Sequence, residues 1–314
     1  MNIVFLGSSP FAVACLTSLI SSAHNILCVV TQQDKQKGRH LHLASTAVKK
    51  AAVDAHIDVF QPPSINTASS VNILKSYQAD LFVVVAYGQI LSSEVLTLPR
   101  IMPLNIHASL LPRYRGAAPI NWAIINNEQQ TGVTSMKMVR KMDAGPIILQ
   151  ERLVIEAHDT VVSLQERLAC AGARVLLETI QRIASNNVTM VSQNEREVSF
   201  APKLKKQDGL IDWIKKAQEI DCRVRGCWGW PGAFTYYKGK FLKIVRAQAM
   251  NLGKKECTGE PGEITRVEKD GIWVAAQEGF VVLQEVQLEG KRPMKVHEFI
   301  AGHRVAVGER LSKK

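Results

Sequence analysis

The sequence predicts an α/β domain with a doubly wound, mostly parallel sheet, followed by a small β-barrel domain. Apolar runs of strand length alternate with helix-like runs through the first half of the 314-residue chain, which is typical of βα units. The predicted strands are apolar at nearly every position, as in parallel sheets that are covered on both faces. Beyond residue 209 the apolar runs become short and are separated by glycines, which indicates a small barrel.

The first half divides into strands and helices in a regular order. Strands are predicted at residues 2–7, 26–31, around 59 and at 81–87, and helices at 10–22, up to about residue 55 and at 69–77. Pro10 suits the first turn of its helix. A polar loop is expected from Gln32 to His42. This order predicts a Rossmann-like layout.

Three further elements complete the first domain. Strands are expected at 131–139 and 147–155, and the apolar positions from Val161 to Ile183 form one stripe of a long helix. Asp159 is expected to cap this helix. We therefore place the first domain at residues 1–189.

A basic linker and an OB-like barrel are predicted for the rest of the chain. Residues 190–208 form a looser, polar stretch that ends in a lysine cluster, which is typical of a linker. Short strands are then expected at 234–237, 241–245, 262–267, 272–275 and 280–286. They predict an OB-like domain at residues 209–314, and folds of this type suit contact with nucleic acid.

The composition excludes several classes of protein. With 46% hydrophobic and 21% charged residues, the chain is neither a disordered nor a membrane protein by its composition. Its longest apolar run, residues 81–87, is too short to span a bilayer, and no basic signal segment opens the sequence, so we expect a cytoplasmic protein. The six cysteines include no Cys-x-x-Cys pair, which predicts reduced thiols and no metal site.

The net charge of +11 is concentrated in residues 190–314, which are more basic per residue than the first domain. Such a surplus is expected if this part of the chain holds a polyanion. A merely solvated basic surface is the alternative.

Polar side chains alternate with apolar ones where the strand at residues 104–107 ends. Asn105 and His107 are two residues apart, so they share one face of the strand, while Leu104 and Ile106 face the opposite layer. Ligands of open α/β sheets bind beyond the carboxyl ends of the strands. Asp143 follows the next predicted strand, in a predicted turn before Ala-Gly. The fold is therefore expected to bring an amide, an imidazole and a carboxylate together.

These three groups suit acyl transfer to an amine. The reaction passes through a tetrahedral centre that carries an oxyanion, and fixed hydrogen-bond donors stabilise that charge. The Asn105 amide and a protonated His107 are suitable donors, and Asp143 is placed to favour the imidazolium and to take the proton that the amine loses. Structural roles for an isolated strand-end histidine and for a turn-forming aspartate are the alternatives.

The loop after the first predicted strand argues against a dinucleotide cofactor. Gly7-Ser8-Ser9-Pro10 lacks the Gly-x-Gly-x-x-Gly spacing that lets a backbone approach a pyrophosphate. We therefore expect a tight βα turn here and no nicotinamide.

The chain resembles the 10-formyltetrahydrofolate-dependent formyltransferases over most of its length. The resemblance lies in motifs whose order and spacing together are specific: residues 5–12, Thr31-Gln32-Gln33-Asp34, Val84-Val85-Ala86-Tyr87-Gly88, residues 105–119, Met142-Asp143-Ala144-Gly145, and Trp228-Gly229-Trp230-Pro231. Within the family, the chain is most similar to the subgroup whose formyl acceptor is initiator methionyl-tRNA.

The resemblance implies a role for specific residues. The family's catalytic asparagine, histidine and aspartate fall on Asn105, His107 and Asp143. The residues expected at the co-substrate 10-formyltetrahydrofolate are Ser109, Leu110, Leu111, Pro112, Tyr87, Gln89 and Ile90. Those expected at the tRNA are Lys35, Lys37 and Arg39 in a loop after the second strand, Lys203, Lys205 and Lys206 in the linker, and Arg223 and Arg225. No metal and a monomeric protein are implied as well.

Two other functions remain open at this point. The same three groups serve formyl transfer to a small amine, such as a sugar nucleotide or glycinamide ribotide, or hydrolysis of formyltetrahydrofolate. A non-catalytic RNA-binding module is a third reading of the basic C-terminal part, although the intact Asn105, His107 and Asp143 argue against it.

Overall fold

A computed structural model describes residues 1–37, 42–250 and 259–312. The chain divides into two compact units, each built from several chain segments. The first unit comprises residues 1–119, 130–154 and 165–201, and the second comprises residues 120–129, 155–164 and the chain from 202 onward. Residues 190–201, in the predicted linker, therefore belong to the first unit.

The first unit contains a seven-stranded sheet and a separate hairpin. The strands in chain order are β1 (Asn2–Gly7), β2 (Asn25–Val30), β3 (Lys35–Lys37), β4 (His42–Ala44), β5 (Val59–Phe60), β6 (Leu81–Val85), β7 (Met102–His107), β8 (Gln130–Lys137) and β9 (Ile147–Val154). The sheet has the order β5-β2-β1-β6-β7-β8-β9. Its first five members run parallel, whereas β8 pairs antiparallel with β7, and β9 pairs antiparallel with β8. The prediction of a mostly parallel, Rossmann-like sheet is confirmed.

The helices before residue 190 connect these strands. They are α1 (Pro10–Ile20), α2 (Ala47–Asp54), α3 (Ala68–Ser76), α4 (Ser93–Leu96), α5 (Pro119–Ile125) and α6 (Val161–Ala184). A threonine directly precedes α2 and α3 and caps each of them. The Thr46 hydroxyl accepts the Lys49 N–H at 3.0 Å, and the Thr67 hydroxyl accepts the Ser70 N–H at 3.3 Å. Such side chains satisfy backbone donors that have no partner inside the helix.

The start of α6 differs from the prediction. Thr160 directly precedes the helix, and its hydroxyl accepts the Ser163 N–H at 3.4 Å. Asp159 lies one residue further out, where its carboxylate accepts the Glu156 N–H at 2.8 Å and the Ser163 hydroxyl at 2.7 Å. The prediction that Asp159 caps the helix is wrong, because Thr160 occupies that position.

The polar segment after β2 contains short strands rather than loop alone. β3 and β4 pair in an antiparallel hairpin, with Lys35 opposite Ala44 and Lys37 opposite His42. Arg39 lies outside the described residues. The loop that the sequence predicts from Gln32 to His42 is thus partly a hairpin.

The second unit contains an antiparallel sheet that curls on itself. Its strands are β10 (Ala233–Tyr237), β11 (Lys240–Met250), β12 (Ile264–Glu268), β13 (Gly271–Ala275), β14 (Phe280–Leu288), β15 (Met294–Lys295) and β16 (Leu311–Ser312). The unit also contains the helices α7 (Ala217–Gly226) and α8 (Val296–His303) and a 3₁₀ turn at Lys206–Gly209. Another 3₁₀ turn, Glu195–Glu197, lies in the first unit. The sheet order is β12-β13-β14-β11-β10-β16, and β15 pairs with β14.

Backbone hydrogen bonds join the two ends of this sheet. The Ile264 N–H donates to the Glu309 carbonyl at 2.8 Å, and the Gly308 N–H donates to the Ile264 carbonyl at 2.9 Å. The Leu311 N–H donates to the Gly262 carbonyl at 2.8 Å. The chain around β16 therefore bridges β12 and β10. The prediction of a small barrel is confirmed.

Both units have apolar interiors of their own. In the second, Trp213 is 4% exposed and packs among the inward residues of the barrel, and its indole N–H donates to the Thr235 hydroxyl at 3.1 Å. Within residues 1–37, 42–250 and 259–312, no helix has both the length and the apolar character needed to cross a membrane.

Candidate active site

The three predicted catalytic side chains lie in the first unit, at the carboxyl end of β7. Val84 of β6 and Met136 of β8 flank Asn105, and Thr134 flanks His107. Asn105 is half-buried, whereas His107 is buried. Here the parallel part of the sheet meets its antiparallel edge, so a polar strand end is bordered by a strand running the other way.

His107 has one ring nitrogen fixed by the backbone. Its Nε2 lies 3.0 Å from the carbonyl oxygen of Tyr114, and because a carbonyl can only accept, Nε2 carries the hydrogen. Tyr114 has a positive φ of 61°, a conformation that costs energy in a residue other than glycine. Nδ1 is therefore the ring nitrogen left for chemistry.

Asp143 faces that nitrogen. One carboxylate oxygen, Oδ2, lies 3.8 Å from Nδ1 of His107 and accepts the Gly116 N–H at 2.8 Å. The two side chains are only 11% and 8% exposed. The 3.8 Å gap is too long for a direct hydrogen bond but close enough for strong attraction between opposite charges in a buried site.

Gly116 has to be a glycine for this contact to form. Its φ is +127°, and a Cβ placed there would lie 2.6 Å from the carbonyl oxygen of Ala201. The Tyr114 carbonyl and the Gly116 amide thus bind His107 and Asp143 from one short loop. Sequence reasoning missed both groups, since backbone atoms leave no side-chain signature; the glycine after Arg-Tyr-Arg was the available signal.

The side-chain amide of Asn105 has no hydrogen-bond partner among the described residues. It lies on the same face of β7 as His107, so its donors are free for a ligand. The three groups together suit stabilisation of an oxyanion and transfer of a proton.

The loop expected to contact folate is held by polar side chains beneath it. The Thr134 hydroxyl donates to the Ser109 carbonyl at 2.6 Å and accepts the Leu111 N–H at 3.1 Å, and the Gln150 amide donates to the Leu111 carbonyl at 2.9 Å. Ser109 and Leu111 are buried, while Leu110 and Pro112 are half-buried. Among the side chains of this loop, those of Leu110 and Pro112 are the more exposed, and the folate contacts stay a prediction.

The second predicted folate segment has one exposed member. Ile90 is 72% exposed. The Gln89 side chain instead accepts the Ile65 N–H at 2.9 Å, so it supports a neighbouring loop. The Tyr87 ring is buried in the core, its hydroxyl has no partner among the described residues, and burial raises the pKa of this phenol to about 12.

The predicted tRNA contacts divide into exposed and internal groups. Lys35 is exposed, with its ammonium 2.9 Å from Gln32 Oε1, and Lys203, Lys205 and Lys206 are exposed as well. The side chain of Lys37 and all of Arg39 lie outside the described parts.

The two arginines of α7 are used inside the second unit. Arg223 donates to the Asp208 carbonyl at 2.5 Å. Arg225 is 12% exposed; its Nε pairs with Asp221 at 2.8 Å and its Nη1 donates to the Asp159 carbonyl at 2.8 Å. Burial raises the pKa of the Asp221 carboxyl even though Arg225 opposes that shift. These bonds give Arg225 a structural role within the second unit, and the phosphate contact expected from sequence stays a prediction.

Comparison with known proteins links this chain to one family. The family models described as formyl transferase and as formyl transferase, C-terminal domain, match residues 1–180 and 203–304. Methionyl-tRNA formyltransferases from Alkaliphilus oremlandii (strain OhILAs) and Acetivibrio thermocellus are each 42% identical to the chain over 313 residues, covering 100% of both sequences. A solved N-formyltransferase from Helicobacter canadensis, in complex with folinic acid and dTDP-3-aminofucose, is 20% identical with a TM-score of 0.67, covering 90% of this chain and 98% of its own; it shows the same fold.

A sequence identity of 42% over the full length of both sequences shows a closer relationship than a shared fold. The chain belongs to the methionyl-tRNA formyltransferase family.

Proposed function

We propose that this protein transfers the formyl group of 10-formyltetrahydrofolate to the α-amino group of methionyl initiator tRNA. The geometry of His107 and Asp143 beside the free amide of Asn105 carries the chemical part of this proposal. The choice of acceptor is supported by the full-length relatives named methionyl-tRNA formyltransferase. The choice of donor is supported by the folinic acid in the related fold.

The reaction begins with attack of the neutral amine on the formyl carbon. An α-amino group titrates near about 7.7 to 8.0, so part of it is already neutral at cellular pH. A new C–N bond forms and the formyl oxygen becomes an oxyanion. The Asn105 amide and the Nδ1–H of a protonated His107 donate to it, and one such donor is worth roughly 3 to 4 kcal/mol.

Asp143 completes the transfer by moving a proton. The attacking nitrogen loses its proton to the carboxylate, directly or through a water. The bond between the formyl carbon and N10 of the folate then breaks, and the departing nitrogen takes up the proton. No net proton is gained or lost, and no covalent enzyme intermediate is needed.

The two substrates use different surfaces in this proposal. The half-buried Leu110 and Pro112, with exposed Ile90, offer apolar contact for the folate, while Ser109, Leu111, Tyr87 and Gln89 shape the loops behind them. Phosphate contacts are assigned to the exposed Lys35, Lys203, Lys205 and Lys206 and, from the sequence, to Lys37 and Arg39.

An acceptor panel tests the proposal directly. Purified protein is assayed with 10-formyltetrahydrofolate and either methionyl initiator tRNA, methionyl elongator tRNA, glycinamide ribotide, an amino-sugar nucleotide or no acceptor. We expect formylation of the initiator tRNA with kcat/KM at least about 100-fold above every other acceptor. Preference for a small amine, simple hydrolysis of the donor, or tRNA binding without turnover would each refute the assignment.

A further inference from the structure

The turn that carries Asp143 is held by a part of the chain that sequence alone assigns to a linker. Residues 191–201 run across the first unit: Val191 and Ile147 exchange backbone hydrogen bonds at 2.8 Å, and the Arg115 N–H and Ala201 N–H pair the segment with the loop after β7 at 2.9 and 2.8 Å. We call residues 191–201 the strap. Between its two anchored ends lies Gln193.

Both hydrogens of the Gln193 amide bind the turn that carries Asp143. Nε2 lies 2.8 Å from the Asp143 carbonyl oxygen and 2.7 Å from the Gly145 carbonyl oxygen. The turn needs such support, because Asp143 has a φ of 50°, a left-handed conformation that is unfavourable for an aspartate without local stabilisation.

Arg115 fixes the orientation of that amide. Its Nε and Nη2 donate to Gln193 Oε1 at 3.0 and 2.8 Å, and Nη2 also pairs with Glu195 at 3.0 Å. If the Gln193 amide were turned over, its N–H groups would face the N–H donors of Arg115. Its oxygen would then face the carbonyl oxygens of Asp143 and Gly145. Arg115 is 2% exposed, so this contact is sheltered from water.

The backbone of Arg115 closes the arrangement into a ring. The residue before it, Tyr114, binds His107 through its carbonyl, and the residue after it, Gly116, binds the Asp143 carboxylate through its amide. The same short loop therefore holds the imidazole, the carboxylate and, through Gln193, the backbone of the carboxylate-bearing residue.

From this ring we infer that Gln193, oriented by Arg115, is a positioning residue that fixes the Asp143 carboxylate opposite Nδ1 of His107. The inference rests on the proposed function for its effect on turnover. It predicts that the two donors of the amide, rather than its bulk, determine the rate, because small misplacement of a reacting group costs up to about 100-fold.

Two substitutions separate donor chemistry from packing. Gln193→Glu keeps the size of the side chain and an acceptor for Arg115, but it places carboxylate oxygens against the carbonyls of Asp143 and Gly145. Gln193→Ala removes the bonds to Arg115, Asp143 and Gly145. Asn194→Ala is the matched control, since Asn194 is exposed on the same strap and bonds only Arg196 and Glu197 among the described residues.

Steady-state kinetics give the first measurement. We expect both Gln193 variants to lower kcat about 10- to 100-fold while KM for tRNA and for folate stays within about twofold, and Asn194→Ala to match the wild type. A Gln193→Glu protein with kcat within threefold of wild type would overturn the inference. If Gln193→Ala does not fold, the Glu variant carries the test alone.

Amide hydrogen exchange gives a second measurement that needs no substrate. The Gly116 N–H is bound to the Asp143 carboxylate, so loss of positioning should speed its exchange at least about tenfold in Gln193→Glu and leave it unchanged in Asn194→Ala. Unchanged Gly116 exchange in the Glu variant would refute the positioning role whatever the kinetics show. A wild-type enzyme inactive on methionyl-tRNA would instead refute the proposed function and leave the exchange result to decide the role of Gln193.

Discussion

Nδ1 of His107 lies 3.8 Å from Oδ2 of Asp143, while the opposite ring nitrogen is bound to a backbone carbonyl. The imidazole can therefore neither turn over nor bond the carboxylate directly. In the proposed reaction, the attacking amine or a water bridges the two groups, since 3.8 Å exceeds hydrogen-bonding distance.

Asp143→Asn tests the charge of the carboxylate. Asparagine keeps an oxygen that accepts the Gly116 N–H, so the turn should hold its shape, but the group can no longer take a proton. We expect kcat to fall at least about 100-fold, with tRNA affinity within twofold, by single-turnover assay and equilibrium binding. Asp54→Asn, on an exposed helix end, is the control. Near-normal turnover would exclude Asp143 as the proton acceptor.

Tyr87→Phe tests whether the tyrosine contacts folate or only fills the core. The buried hydroxyl has no partner among the described residues, so its removal should leave the free energy of unfolding unchanged or raise it by up to about 1 kcal/mol, with an unaltered KM for 10-formyltetrahydrofolate. Urea titration and steady-state kinetics measure both. A several-fold rise in KM would show that the hydroxyl reaches the ligand.

The same variant should change how stability depends on pH. Burial raises the pKa of Tyr87 to about 12 in the folded protein, above the value of about 10 expected when unfolded. Stability from this group is complete below about pH 10 and declines as pH rises towards 12, because the unfolded chain then releases the proton first. The free energy of unfolding of the Tyr87→Phe variant should decline less over that pH range. If the free energies of unfolding of the two proteins depended on pH in the same way, the raised pKa of Tyr87 would be contradicted.

Charge reversal at Lys203, Lys205 and Lys206 tests the proposed tRNA surface. Replacing all three by glutamate should raise KM for tRNA at least about tenfold and weaken the salt dependence of binding, while kcat at saturation changes less than twofold. The control replaces three exposed lysines of the barrel, Lys240, Lys269 and Lys291. Equal losses in both triple variants would point to net charge rather than to a local contact.

Arg225→Ala tests the internal role of that arginine. Breaking its pair with Asp221 leaves a buried carboxylate without its cation, which typically costs about 3 to 5 kcal/mol. We expect a markedly lower unfolding midpoint and, at temperatures where the variant is folded, tRNA affinity within about threefold of wild type. A stable variant with strongly reduced tRNA binding would restore Arg225 as a phosphate contact.

The order of strands and helices in both units was predictable because it follows from local patterns. The apolar runs at β1 and β6, the proline that opens α1 and the glycine-separated strands of the barrel all express preferences within a few residues of chain. The predictions differ from the structure where two adjacent residues can both cap a helix, and where a segment packs against residues far away in the sequence. Thr160 rather than Asp159 takes the position before α6, and the strap, residues 191–201, is part of the first unit.

The sequence by itself determined that Asn105 and His107 share one face at the end of a buried strand, since side chains two apart in a strand always do. It also determined the family resemblance. Only the tertiary structure decided which nitrogen of His107 is free, what holds Asp143, and that Arg225 is turned inward. Those outcomes depend on contacts between segments far apart in the chain, whose meeting is set by packing of the whole fold rather than by any local pattern.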